Sequence, residues 1–152
     1  ECVRATYTDE GDKIGVFNEQ VNKITGNYGN VKGSARFASN DGRAELIVGF
    51  EGIPFGNGDG GSRPNYLVVA TDYTSYAIVY SCAEKLFLGK KESLWLLTRG
   101  QHPSKYLVAG AKNQMKQMGL PVGSLRTTPQ ENCAQLPPPG AASPSVSIES
   151  LG

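Results

Sequence analysis

From Cys2 to Arg99 the chain is a succession of short runs in which apolar and polar residues alternate, each closed by turn formers. Alternation with a period of two marks strands with one buried face. The first runs are Cys2 to Thr8, ended by Asp9-Glu10-Gly11-Asp12, and Lys13 to Gln20, with Ile14 and Val16 on one face. Tyr28 to Ala38 follows, closed by Ser39-Asn40-Asp41-Gly42, and then Arg43 to Glu51, where Leu46, Val48 and Phe50 alternate with Glu45 and Gly49. Asn65 to Asp72, Tyr76 to Cys82 and Glu92 to Arg99 complete the series.

The last of these runs are apolar on both faces: Tyr66-Leu67-Val68-Val69-Ala70, Tyr76-Ala77-Ile78-Val79-Tyr80 and Leu94-Trp95-Leu96-Leu97. An antiparallel strand needs that only where something covers its outer side. The cover is predicted just downstream. Pro103 suits a first helical turn, Leu107, Val108, Ala111, Met115 and Met118 share a face at helical spacing, and Gly119 and Pro121 mark the stop. The pattern predicts a helix over residues 103–118. Short links between successive strands favour an up-and-down antiparallel barrel over a Greek-key sandwich, with Gly52 to Arg63 as a longer, Gly-rich exception. The expected fold class is all-β, a barrel of about seven strands with one C-terminal helix packed outside. Residues 1–136 are expected to form this domain, and the Pro/Ser-rich 137–152 a flexible tail.

At 152 residues the chain suits one domain. A net charge of +1 with no block of like charges gives no field for nucleic acid. No apolar stretch approaches the length that spans a bilayer as a helix. The chain opens Glu1-Cys2-Val3-Arg4 without a signal peptide, which reads as a mature product, a cut product or a fragment. Cys2, Cys82 and Cys133 are too far apart for a CxxC site. On the residues alone they are either buried thiols or one disulfide with a thiol left over.

Candidate chemistry is sparse. Gly56-Asn57-Gly58-Asp59-Gly60-Gly61 lacks the Lys and Ser/Thr of a phosphate loop. As a calcium loop it would put Phe55 and Tyr66 at ligand positions, where neither can serve, so it reads as a flexible hairpin loop. His102, the single histidine, precedes the helix and reads as a surface residue rather than a triad base. Asp72 and Glu51 lie on different strands with no defined separation. Tyr7, Phe17, Phe50, Tyr66, Tyr76, Tyr80 and Trp95 all fall in predicted strands. A barrel of about eight strands has an interior that side chains can fill or that can hold one small ligand, and composition does not decide between these.

The segment Asn65-Tyr66-Leu67-Val68-Val69-Ala70-Thr71-Asp72-Tyr73, followed by Tyr76 to Cys82, resembles the lipocalin family, with Thr71-Asp72-Tyr73 as its second signature. Leu96-Leu97-Thr98-Arg99 resembles its third, and Cys2-Val3-Arg4-Ala5-Thr6-Tyr7 and the Lys13 to Asn18 strand are similar to the apolipoprotein D-like branch, which includes bilin-binding proteins and is related to crustacyanins. The resemblance covers residues 2 to 133, and its short motifs occur in the family's order.

The resemblance implies a secreted, non-enzymatic carrier that holds a small hydrophobic ligand (a bilin, carotenoid, sterol or other lipid) and has no obligatory cofactor or metal. It places Tyr7, Asn18, Leu46, Val48, Phe50, Leu67, Val69, Trp95 and Leu97 toward the cavity. It gives Thr71, Asp72, Tyr73 and Arg99 a structural role at the closed end, and pairs Cys2 with Cys133. The family's first signature, Gly-x-Trp on the first strand, is absent, so Arg99 lacks the Trp it would stack on and Cys82 lacks its upstream cysteine. A first strand on a missing N-terminal piece, removed, left out of this sequence or carried on a separate polypeptide, would explain both; a shortened barrel with a free Cys82 is the rival. Other readings are a lipocalin-type isomerase using Cys2, or a subunit of a larger pigment–protein complex, homo-oligomeric or otherwise. No Asn-x-Ser/Thr acceptor for N-glycosylation is present.

Overall fold

The structure, a computed structural model, describes residues 1–52, 63–85, 89–137 and 145–151, with 83–85, 89–90 and 145–151 described by their backbone. The Gly-rich segment weighed above as a phosphate or calcium loop, and the Gly52 to Arg63 connection apart from its ends, lie outside the described residues.

The alternating runs form β1 (Arg4–Asp9), β2 (Ile14–Val21), β3 (Tyr28–Phe37), β4 (Glu45–Phe50), β5 (Tyr66–Thr71), β6 (Tyr76–Lys85) and β7 (Gly89–Thr98), each antiparallel to the next. The turns are set by short polar side chains. Asn22 Oδ1 accepts from the N–H groups of Ile24 and Thr25, and Asp41 accepts from the Ser39 hydroxyl and the Arg43 N–H. The register lines up Tyr7, Val16, Gly33 and Phe50 across the first four strands. Glycine is required in that row, because a Cβ at Gly33 would collide with the Gly49 carbonyl oxygen.

Helix α1 (Lys105–Gln117) lies on the outer face of the late strands, as its apolar stripe predicts. Ser104 caps its start by accepting from the Leu107 N–H. Gly119, at φ +73°, lets the Gly119 and Leu120 N–H groups bond back to the Lys116 and Met115 carbonyls and end it. Ala111 and Met115 pack with Ile78, Leu94 and Leu96, all buried. This explains the apolar residues on both faces: Tyr76, Ile78, Tyr80, Leu94 and Leu96 lie on the helix side, and Ala77, Val79, Trp95 and Leu97 on the other.

The chain then forms β8 (Leu125–Arg126), and Cys133 closes a disulfide with Cys2. Residues 137–152 were expected to be a loose tail, but Ser145–Leu151 forms β9, antiparallel to both β7 and β1. Thr98 and Arg4 are both opposite Ser147. The edges that a seven-strand meander would leave are therefore paired along these stretches, and the sheet closes on itself through β9. Its alternating Val146 and Ile148 stand at the register positions of Ala5 and Leu97.

Candidate ligand-binding site

The interior is built by alternation on each strand. Leu46, Val48 and Phe50 of β4 cluster with Tyr7 of β1 and with Val16 and Ala35. Ala77 and Val79 of β6 stand opposite Leu97 and Trp95 of β7, all on the face away from α1. A cavity of about 240 Å3 lies among these strands, walled by Leu46, Val68, Val79 and Leu97 and reaching Arg99 at its rim.

An aromatic group crosses the barrel. The Tyr7 and Tyr66 hydroxyls are 2.9 Å apart, and the Tyr66 ring stacks on Trp95 with centroids 6.2 Å apart and an interplanar angle of 21°. Burial pushes both phenols above the ordinary range, so at neutral pH both are hydroxyls. One hydrogen joins the pair, leaving the accepting tyrosine's own O–H to be directed elsewhere. Asn18 stands opposite Ala5 on the inward face, and its buried Oδ1 has no hydrogen-bond partner among the described residues. Leaving a buried acceptor unsatisfied costs about 1–3 kcal/mol.

Most of the expected cavity residues are therefore brought together: Tyr7, Asn18, Leu46, Val48, Phe50, Trp95 and Leu97 share the inward face. Leu67 and Val69 do not. Leu67 stands opposite Glu45 and Tyr80 on the outer face, and Val69 is 38% exposed. Tyr66 and Val68 take the inward positions. The cause is a register shift between Val68 and Ala70. Counting back by twos from the cavity-lining Thr71 gives Val69 and Leu67, but one extra residue moves the inward set to Val68 and Tyr66.

The residues expected at the barrel's end behave as a turn. Asp72 accepts from the N–H groups of Thr74, Ser75 and Tyr76 and from the Ser75 hydroxyl, which holds its carboxyl below the usual carboxylate range. Tyr73 takes φ +64°, and Thr71 Oγ1 accepts from its N–H and donates to the Tyr76 carbonyl. Arg99 Nη2 reaches the Tyr73 carbonyl at 3.4 Å.

Elsewhere, Cys2 is committed to the disulfide, which removes it as a thiolate nucleophile, and Cys82 is a free, half-buried thiol. His102 is exposed and lines a groove of about 820 Å3 on the outer surface between α1 and residues 127–131. Among the described residues no group of His, Cys, Asp and Glu is placed to hold a metal, and no helix is long and apolar enough to cross a membrane. One buried pair went unnoticed in the sequence. Glu19, 3% exposed, accepts from Arg4 Nε at 2.7 Å and from the Tyr28 hydroxyl at 2.9 Å. Arg4 and Glu19 are cross-strand partners on the outer face, a pairing visible only once the β1–β2 register is known.

Among known proteins, the family model of the lipocalin-like domain matches residues 1–130. The chain belongs to the lipocalin family. Apolipoprotein D of Macaca fascicularis is 32% identical over 136 residues, covering 88% of this chain and 67% of that lipocalin. The Lazarillo protein of Schistocerca americana is 30% identical over 156 residues, covering 99% and 69%. Among solved lipocalin structures, H1 crustacyanin from the lobster Homarus americanus superposes with a TM-score of 0.67 at 19% identity, covering 95% of this chain and 69% of that one. Lobster apocrustacyanin A1 gives 0.60 at 20% identity, over 79% and 61%. At these identities the structural likeness speaks for the fold. The chain spans about two thirds of the length of its curated relatives. Lipocalin membership supports, at its coarsest, a binding role toward small hydrophobic molecules.

Proposed function

We propose that this chain is an extracellular carrier that holds one small hydrophobic molecule inside the barrel. The observation that carries the reading is the apolar cavity against the Tyr7–Tyr66–Trp95 group, in a chain of a ligand-binding family. Binding needs no catalysis. Apolar ligand surface leaves water, worth about 25 cal/mol per Å2, and the few polar groups set orientation. The Asn18 acceptor and the free hydroxyl hydrogen of the tyrosine pair offer one acceptor and one donor.

The proposed contacts are Tyr7, Asn18, Leu46, Val48, Phe50, Trp95 and Leu97, with Tyr66 and Val68 in place of Leu67 and Val69. The Cys2–Cys133 disulfide supports the extracellular setting. A separate N-terminal peptide as first strand would have to displace β9 from the seam between β1 and β7.

The test is titration of the sole tryptophan's fluorescence with a bilin, a carotenoid, a sterol and a fatty acid. At least one is expected to shift Trp95 emission with saturation at one per chain, and Trp95→Ala to weaken binding, read by calorimetry, more than Trp95→Phe. Unchanged affinity in both variants would remove Trp95 from the site.

A further inference from the structure

Charge is unevenly placed along this chain. Five of the fifteen Lys and Arg residues, and none of the fourteen Asp and Glu residues, fall between Ser93 and Gln130. That stretch is the helix side of the molecule. Lys105, Lys112 and Lys116 of α1 stand at i, i+7 and i+11. At about 100° per residue they fall within about 40° of one another, a stripe about 16 Å long. Lys105 and Lys116 are exposed and enter no ion pair among the described residues. Lys105 and Lys112 line the outer groove of about 820 Å3, and Arg126 is exposed at the start of the segment that forms its other wall. Of the described residues lining the groove Glu131 alone is acidic, and Glu149 of β9 stands at the register position beside Leu96. The groove is pre-formed: Gln101 donates to the Gln130 carbonyl at 2.7 Å, and the Cys2–Cys133 disulfide fastens the chain just past the far wall.

The chemistry of the walls narrows the occupant. A bilayer takes up a helix through large apolar residues on its free face. The apolar side of α1 is docked on β6 and β7, and its exposed positions hold Ala109, Gly110 and Asn113 around a single aromatic, Tyr106. An acidic peptide is gripped best by planar arginine forks in two-point geometry, and the stripe is lysine throughout, point charges on flexible stems. Thr127, Thr128 and the side chains of Gln101 and Gln130 add hydroxyls and amides along the walls. Spaced point charges beside such groups suit a chain that carries sulfates and hydroxyls together. We propose that the lysine flank of α1 and its groove bind a linear sulfated polysaccharide, which lies along the helix from Lys105 to Lys116. The attraction is electrostatic and falls with salt. The site is on the outer surface and does not depend on what the barrel interior holds.

The experiment is calorimetry of the full chain near pH 7 with a heparin-derived hexasaccharide, and with decaglutamate and phosphatidylserine vesicles as competing probes. The hexasaccharide is expected to bind at one per chain and to lose affinity as salt rises. Lys105→Gln, Lys112→Gln and Lys116→Gln together are expected to weaken it about tenfold, the combined scale of three exposed ion pairs. Lys13→Gln, Lys23→Gln and Lys32→Gln together, around β2 and β3, are expected to change it less than about twofold. Equal weakening by the two sets would overturn the proposal. So would tighter binding of either competing probe, or no binding of the hexasaccharide at physiological salt. Should the first set fail to fold, amide NMR shifts of the native chain decide: changes centred on residues 101–116 and 127–131 support the site, and changes centred on β1 to β4 overturn it.

Discussion

Asp72 and Asp41 are single residues that each hold a turn, and both tie the fold to pH. Asp41 accepts from the Ser39 hydroxyl and from Arg43, backbone and side chain, which brings its carboxyl down from 3.8 to about 2. Asp72 is lowered further by the Ser75 hydroxyl and the N–H groups around it. A carboxyl depressed in the folded state adds stability that is complete above its unfolded value and is lost as pH falls through the folded one. Melting temperature is therefore expected to fall between about pH 4 and pH 2, and Asp41→Asn with Asp72→Asn to flatten that decline. An equal slope in the double variant would contradict the assignment. At this scale the sequence was legible where turn formers punctuate it: Asp41 and Gly119 were readable from the pattern, whereas Asp72 closed a strand run and came as a turn residue only with the resemblance. Which face of β5 looks inward was not legible. Tyr66 to Ala70 is apolar throughout, and the extra residue at Val69 leaves no mark in composition.

At the scale of elements, α1 and the outer face of β6 and β7 form one unit. Ile78, Leu94, Leu96 and Met115 are fully buried there, and Leu120, Val122 and Leu125 from the segment after the helix pack against the same cluster. Met115→Ala is expected to cost about 2–5 kcal/mol, and Ser104→Ala, which frees the Leu107 N–H, about 1 kcal/mol; denaturant unfolding measures both. A loss below 1 kcal/mol for Met115→Ala would mean that the helix is not docked as described. This packing was readable because two independent patterns agreed: strands apolar on both faces, followed by a helix with one apolar stripe.

Over the whole molecule, the Cys2–Cys133 disulfide joins positions 131 apart in sequence and fastens the segment after β8 to the start of β1. Beyond it, β9 fills the seam between the first and last strands of the meander. Removing residues 138–152 is expected to bare both edges and lead to self-association, seen by light scattering on a sizing column. A truncated chain that stays monomeric and melts like the full one would show that the barrel does not depend on β9. The strand went unforeseen because its alternation, Ser145-Val146-Ser147-Ile148, is brief and follows a Pro-rich stretch that reads as a linker.

The central claim is that a small hydrophobic molecule occupies the interior beside Trp95. The most direct measurement is native mass spectrometry of the protein isolated from its natural source, with organic extraction and re-addition of whatever is released. The account predicts one hydrophobic compound per chain, which shifts Trp95 emission when returned to the stripped protein and fails to do so in Trp95→Phe reporter controls carrying tryptophan outside the barrel. A chain that yields no such compound, and whose Trp95 emission is unmoved by pigments, sterols and fatty acids alike, would contradict it.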